Sequence, residues 1–227
     1  MKSCTVSISA SLVTVALVGV LSAVAPCAAS GEETSFDGLS RVESSRIAIA
    51  YLAPDADFSI FERVKILEPE VAFRSNWQRD QNRNRTRNIS TRDMERIKAD
   101  VASLFQEVFA QRLTSGGYKV TDEVADDVLI VRPAIIDLDI TAPETRSGSA
   151  QRSFTATATA GAATIYVELF DAATGQIIGR GADRQAGRST SGFMTWNNRA
   201  TNSVEARRIL QGWADVLVNF LDAQYGR

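Results

Sequence analysis

The chain has 227 residues, with 25 Lys plus Arg, 27 Asp plus Glu and no histidine. Its 44% hydrophobic and 23% charged residues are typical of a globular protein. Without histidine, the chain cannot carry out Ser-His-Asp or Cys-His catalysis, ligate a metal through imidazole or use an imidazole pH switch. The formal net charge of −2 gives no overall field that would attract nucleic acid or an anionic membrane, and we expect no nucleic-acid partner.

Residues 1–29 have the pattern of a secretory signal peptide. Lys2 is followed by an apolar run, 12–21, which is shorter than the roughly 20 apolar residues of a membrane span, and small residues come after it. We therefore predict an exported protein, located in the periplasm or associated with the outer membrane. A leader retained as a membrane anchor is the alternative.

The end of the leader has two interpretations. Small side chains before Ser30 suit ordinary signal peptidase, which would leave Ser30 as the first residue. Val24–Cys27 resembles a lipobox, which would make Cys27 a lipidated first residue and the only point of membrane contact. Pro26 departs from the lipobox pattern, in which Gly, Ala or Ser is expected.

The cysteine positions exclude thiol chemistry from the body of the protein. Cys4 and Cys27 are its two cysteines, and both lie at or before residue 27. A thiolate nucleophile or zinc ligand is therefore unavailable after export. We predict no metal site and no cofactor.

The chain after the leader divides into a tether and one domain. Residues 30–46 are small and polar, which favours a flexible tether. Because no Pro-rich or Gly-rich linker interrupts the remainder, we predict that 47–227 form a single domain.

Two segments have helical periodicity. The first helix is predicted from about Thr91 to Leu113, with Ser90 and Asp93 placed to form a capping box and Gly116-Gly117 placed to end the helix. A second helix is predicted over about 203–222. Apolar residues recur at intervals of three and four along both.

Period-two alternation predicts the strands. The candidate segments are 63–67, 154–170 and 176–186, with a hairpin loop at 171–175. Segments 128–131 and 136–140 form either one long strand or two short ones, with Pro133 marking a bulge or an edge. Hairpin-linked strands favour an antiparallel sheet, and one-sided helices must cover one of its faces. We therefore predict an α+β two-layer sandwich with an antiparallel sheet of four to five strands and two long helices on one face.

The segment 72–87 carries five arginines, one tryptophan and a single acid. As a binding site, it would hold an anion through Arg74 and Arg79 while Trp77 stacks on a ring. The alternative is a solvated connection whose arginines pair with local acids.

Asp137 and Asp139 are predicted to share one face of a strand, roughly 7 Å apart. Two carboxylates at that spacing suit an acid-dependent hydrolase. The alternative is the polar side of a strand whose apolar face is Ile136, Leu138 and Ile140.

The loop 189–199 carries Phe193 and Trp196 beside glycine and amide residues. These aromatics suit contact with a partner or ligand. The alternative is that they close the end of the sandwich beneath the last helix.

Four segments resemble a bacterial domain-of-unknown-function family, whose members are exported proteins of Gram-negative bacteria and commonly lipoproteins. They are Ala50–Phe58, Val71–Trp77, Arg132–Asp139 and Phe193–Asn197. The resemblance covers about 50–222, and it implies an exported location and an α+β fold but no activity. The layout is also similar to small envelope lipoproteins that assist transport or cell-wall complexes, an analogy of fold alone.

Together these features predict a non-enzymatic binding or accessory module for an envelope protein or an anionic ligand. Its predicted contacts are Arg74, Trp77, Arg79, Phe193 and Trp196. A hydrolase that uses Asp137 and Asp139 is the alternative, and a purely structural subunit is a third possibility.

Overall fold

A computed structural model describes residues 35, 37–43, 46–83, 88–140, 156–157, 162–186, 195–196 and 199–225. The strands in these ranges are β1 (Ser40–Arg41), β2 (Ile49–Leu52), β3 (Arg63–Ile66), β4 (Glu70–Phe73), β5 (Lys119–Val120), β6 (Val128–Asp139), β7 (Ala156–Thr157), β8 (Ala162–Asp171), β9 (Ile177–Ala186) and β10 (Thr195–Trp196). The α-helices are α1 (Trp77–Asn82), α2 (Thr91–Ser115) and α3 (Arg199–Tyr225). A short 3-10 helix spans Phe58–Ile60.

Eight strands form one mixed sheet in the order β1-β2-β9-β8-β6-β3-β5, and β4 pairs with β6 beyond the end of β3. The central pairs β6–β8 and β8–β9 are antiparallel. By contrast, β3 and β4 run parallel to β6. Strands β7 and β10 form a separate antiparallel pair.

The parallel pairs follow from the position of α2 in the chain. Parallel neighbours need a long crossover connection, usually helical, because a tight turn can join antiparallel strands only. Here the chain leaves β4, passes through α1, α2 and the short β5, and returns along β6. A long helix between β4 and β6 thus allows both to point the same way.

Helix α2 begins and ends where local signals place it. The Ser90 side chain accepts a hydrogen bond from the Asp93 backbone N–H, and the Asp93 carboxylate accepts one from the Ser90 backbone N–H. Gly117 follows the helix with a φ of 88°, a left-handed conformation that glycine adopts without steric cost. The predicted capping box and glycine termination are confirmed.

The core lies between one face of the sheet and the helices α2 and α3. Phe105 and Phe109 of α2 stack with ring centroids 3.9 Å apart, and both are fully buried. They belong to one apolar cluster with Leu217 of α3, Val131 of β6 and Ile165 of β8. Alternate residues of each central strand therefore face the helices, and the intervening ones face the opposite side.

The predicted antiparallel sheet of four to five strands with two helices is wrong. The sheet has eight strands and is mixed, and three α-helices occur in the described ranges. Strands β1 and β5 were missed because two residues are too few to show an alternation, and β2 and β4 because their four residues do not alternate between apolar and polar as those of β3 do. Strand β1 lies within the segment 30–46 predicted as a tether, where it pairs with β2.

Candidate functional site

The arginine-rich segment is built into the fold at its beginning. Arg74 bridges two carboxylates, with Nη1 2.8 Å from Asp80 Oδ2 and Nε 2.8 Å from Asp139 Oδ2. The hydrogen bond from Arg74 holds the pKa of Asp80 below its usual value. Arg79 is 69% exposed, and its Nε lies 3.9 Å from Asp80 Oδ1. Arg74 thus joins α1 to the end of β6, whereas Arg79 lies at the surface.

Trp77 is buried, with 1% of its surface exposed. Its ring stacks on Phe73 at a centroid distance of 4.0 Å, and its Nε1 donates a 2.8 Å hydrogen bond to the Ile140 carbonyl. This arrangement fixes the first turn of α1 against the sheet. Trp77 therefore presents no surface for stacking on a ligand.

The second predicted contact loop falls mostly outside the described ranges. Phe193 lies outside the described residues. The backbone of Trp196 lies in β10, where it pairs with Ala156.

A bulge in β6 separates the two aspartates that were predicted to act together. The pairing of β6 with β8 shifts between Ile136 and Asp139, and Asp137 has a φ of 51°. Asp139 pairs with Arg74, whereas Asp137 Oδ2 lies 3.9 Å from Arg184 Nη1. Each carboxylate therefore has its own arginine. The bulge also leaves Ile136 41% exposed, so it lies outside the buried face predicted for it.

The structure contains an apolar cavity that sequence reasoning missed. It has a volume of about 310 Å³ and lies between the β2, β8 and β9 face of the sheet, the segment before β2, and helices α2 and α3. We call it the β9 cavity. The described residues that line it are Val42, Glu43, Arg46, Ile47, Ala50, Leu52, Phe109, Ile165, Val167, Leu169, Arg180, Gly181, Trp213, Val216, Leu217 and Phe220.

Glycines on β9 let two side chains beside the β9 cavity pack directly against the strand backbone. Gly179 and Gly181 lie two positions apart and face the helices beside Leu169 and Val167 of β8. A Cβ at Gly181 would come within 2.8 Å of the Ile47 side chain, and one at Gly179 within 3.1 Å of Leu52. Both neighbours thus lie directly on the backbone of β9. Two glycines on the same face of a strand are a sequence signal of such a close approach.

Helix α3 supplies the opposite wall. Trp213, Val216, Leu217 and Phe220 recur at helical spacing and all line the β9 cavity. Trp213 is oriented by a 2.9 Å hydrogen bond from its Nε1 to Asp183 Oδ2, and Gln185 Nε2 donates to the same oxygen at 2.7 Å. The Nε1 of Trp213 is therefore engaged in a buried hydrogen bond, and the indole ring lines the cavity.

The opposite face of the sheet carries an ion cluster that fastens the N-terminal segment. Buried Glu168 accepts hydrogen bonds from Arg132, Tyr166 and Arg180, and Arg180 also binds Asp37. The hydrogen bond from Arg180 holds the pKa of Asp37 below its usual value. Burial, and then the bond to Glu168, raise the pKa of Tyr166. The ion pair between Asp37 and Arg180 thus holds the chain just before Val42, the first lining residue, against β9.

Two further properties concern cations and membranes. Among the residues that the structure describes, no group of three or more Asp, Glu, Cys or His side chains is placed to hold a metal ion. In the same ranges, no helix combines the length and hydropathy needed to cross a bilayer.

Comparison with known families assigns the chain. The model of the protein family of unknown function DUF3313 matches residues 28–217. The chain belongs to DUF3313. The predicted resemblance to a bacterial domain-of-unknown-function family is confirmed. No curated protein matches this DUF3313 chain.

Solved structures resemble the DUF3313 chain distantly. The PelC dodecamer from Paraburkholderia phytofirmans is 10% identical with a TM-score of 0.36, covering 72% of this chain and 94% of that one. Protein XCC0632 from Xanthomonas campestris, of family DUF330, is 11% identical with a TM-score of 0.36, covering 73% and 86%. A minor lipoprotein from Acinetobacter baumannii is 7% identical with a TM-score of 0.33, covering 74% and 96%. These likenesses are too distant to indicate a shared function.

Proposed function

We propose that this DUF3313 protein is a non-enzymatic binding module exported to the cell envelope, and that it holds a small apolar ligand in the β9 cavity. The cavity is the observation that carries the proposal. Its volume of about 310 Å³ lies at the lower end of the range of ligand sites, about 300–1,000 Å³, and its described lining is mostly apolar.

The other candidate residues are engaged in contacts within the protein, which favours the cavity over them as the binding site. Arg74 is engaged by two carboxylates, and Trp77 is buried against Phe73. The pair required for the hydrolase alternative is divided between two arginines. Arg79 is exposed and so is accessible to an envelope protein or an anionic ligand. Exposure is the one observation that favours such a contact.

A polarity-sensitive naphthylamine dye tests the binding site, because its fluorescence rises when it leaves water for an apolar cavity. Val216→Phe places a ring where Val216 lines the cavity. Val204→Phe is the matched control, because Val204 lies on the same helix and is 70% exposed. We expect the wild type and the control to bind the dye equally, and Val216→Phe to bind it about tenfold more weakly or worse.

The comparison depends on folded variants, so circular dichroism and the urea midpoint accompany each titration. If Val216→Phe does not fold, Ala50→Leu fills the cavity from β2 instead. Equal dye binding by a folded, cavity-filled variant and the wild type would contradict the proposed site.

The location is tested separately. Fractionation of cells that express the full chain should place it in the periplasm or the outer membrane. The intact mass of the purified protein distinguishes a chain that begins at Ser30 from one that begins at a lipidated Cys27. A cytoplasmic protein that retains Met1 would contradict export.

A further inference from the structure

We infer that the β9 cavity takes one unbranched hydrocarbon chain of an amphiphile and leaves the polar head group at the mouth. The inference rests on the proposed function and names the ligand class. It follows from the chemistry of the walls, the dimensions of the cavity and the charges at its opening.

The inner walls select a ligand portion without hydrogen-bonding groups. Trp213 is the aromatic lining residue that carries an N–H, and that group donates to Asp183. Arg180 also lines the cavity, but its guanidinium bonds Asp37 and Glu168 on the opposite face of the sheet. The remaining inner wall is aliphatic or phenyl, as at Leu169, Val216 and Phe220. A hydroxyl or amide that entered would lose its bonds to water and gain none, which disfavours polar ligands.

The dimensions suit a single chain of moderate length. The α3 wall runs from Trp213 to Phe220, about 10 Å along the helix axis at 1.5 Å per residue. The volume of about 310 Å³ is at the lower end of the range of ligand sites, which suits one chain rather than several, and an extended chain as long as this wall has roughly ten carbons. The cavity is thus about one chain wide and about ten carbons deep.

The mouth provides a place for a head group. Glu43 and Arg46 line the β9 cavity and are exposed, so they mark the side on which it meets solvent. Their opposite charges impose no single sign on a ligand. The head group therefore stays hydrated, and the chain supplies the binding free energy.

The test measures displacement of the naphthylamine dye from the full chain by two homologous series below their micelle concentrations. One series is saturated fatty acids and the other is lysophosphatidylcholines, each with chains of about six to sixteen carbons. Each added methylene should tighten binding about fourfold, which corresponds to about 0.8 kcal/mol. The gain should stop near ten carbons in both series, and Val216→Phe should lower the affinity of long chains more than that of short ones.

The outcomes separate the inference from the proposed function. If the dye binds in the cavity but neither series shows a dependence on chain length, the inference is overturned and the proposed site stands. Displacement by only one series also overturns it, because the head group would then be the part that is recognised. Absence of dye binding to the wild type overturns both.

Discussion

The hydrogen bond between Trp213 and Asp183 allows the energetics of the cavity wall to be tested against a matched site. Both Trp213 and Trp77 are buried, and each indole donates one bond, to the Asp183 carboxylate at 2.9 Å and to the Ile140 carbonyl at 2.8 Å respectively. Replacing either tryptophan by phenylalanine removes the same atoms. The difference in the free energy of unfolding between the two variants therefore reports mainly on the acceptor, a carboxylate in one case and a carbonyl in the other.

The magnitude follows from the charge of the acceptor. A hydrogen bond to an ionised group contributes about 1.5–3 kcal/mol, against about 0.5–1.5 kcal/mol for a neutral pair. Asp183 is 9% exposed, and after Trp213→Phe its Oδ2 keeps the hydrogen bond from Gln185 Nε2 but loses the one from the indole. We expect Trp213→Phe to lower the free energy of unfolding by about 1 kcal/mol more than Trp77→Phe does.

Urea denaturation followed by far-UV circular dichroism measures both variants near neutral pH. Trp213 is the more exposed of the two, at 6% against 1%, so loss of packing alone would make Trp77→Phe the costlier change. An equal or larger loss for Trp77→Phe would refute the reasoning. A double-mutant cycle with Asp183→Asn should then also show no coupling between Trp213 and Asp183.

Two further predictions concern charge and helix capping. The hydrogen bonds from Arg63 hold the pKa of Asp127 below its usual value, so their stabilisation is present above about pH 3.9, the unfolded value, and is lost as the pH falls towards the lower folded pKa. The urea midpoint of the wild type should accordingly fall more between pH 5 and acid than that of Arg63→Met, and parallel curves would contradict this. Ser90→Ala should cost about 1 kcal/mol in the same assay because it removes the side-chain cap of α2, whereas Ser90→Thr should stay close to the wild type.

The sequence predicted α2 well because its signals are local. The expected span from Thr91 to Leu113 compares with an observed helix of Thr91–Ser115. Ser90, Asp93 and Gly117 act within a few residues of themselves, so they do not depend on the rest of the fold.

The sheet could not be predicted in the same way because its pairings are distant in sequence. Strand β2 has four residues, and it is defined by pairing Ile49 with Ala182 and Leu52 with Gly179. The sequence of β2 contains no pattern that identifies β9 as its partner, and the sequence of β9 contains none that identifies β2. The hairpins suggested an antiparallel sheet, but the crossover through α2 made part of it parallel.

The contacts of the candidate residues could not be predicted where short elements and cavities determine them. Helix α1 has six residues, too few to show an apolar stripe, so the sequence did not indicate that Trp77 is buried. The bulge at Asp137 likewise depends on pairing with β8. The stripe with Val216 was recognised as apolar, but the cavity in front of it is enclosed by residues distant in sequence, such as Ile47 and Gly181.

The position of β2 between β1 and β9 also sets an order of assembly. Asp37 and Arg180, which tie these strands together, are 143 residues apart in the chain. Strands β1 and β2 can pair with each other early, but β2 cannot join the sheet until β9 has been synthesised, and such non-local pairing slows folding. A product that stops short of β9 would leave an open strand edge available to other chains, so premature termination should yield aggregates rather than a smaller folded domain.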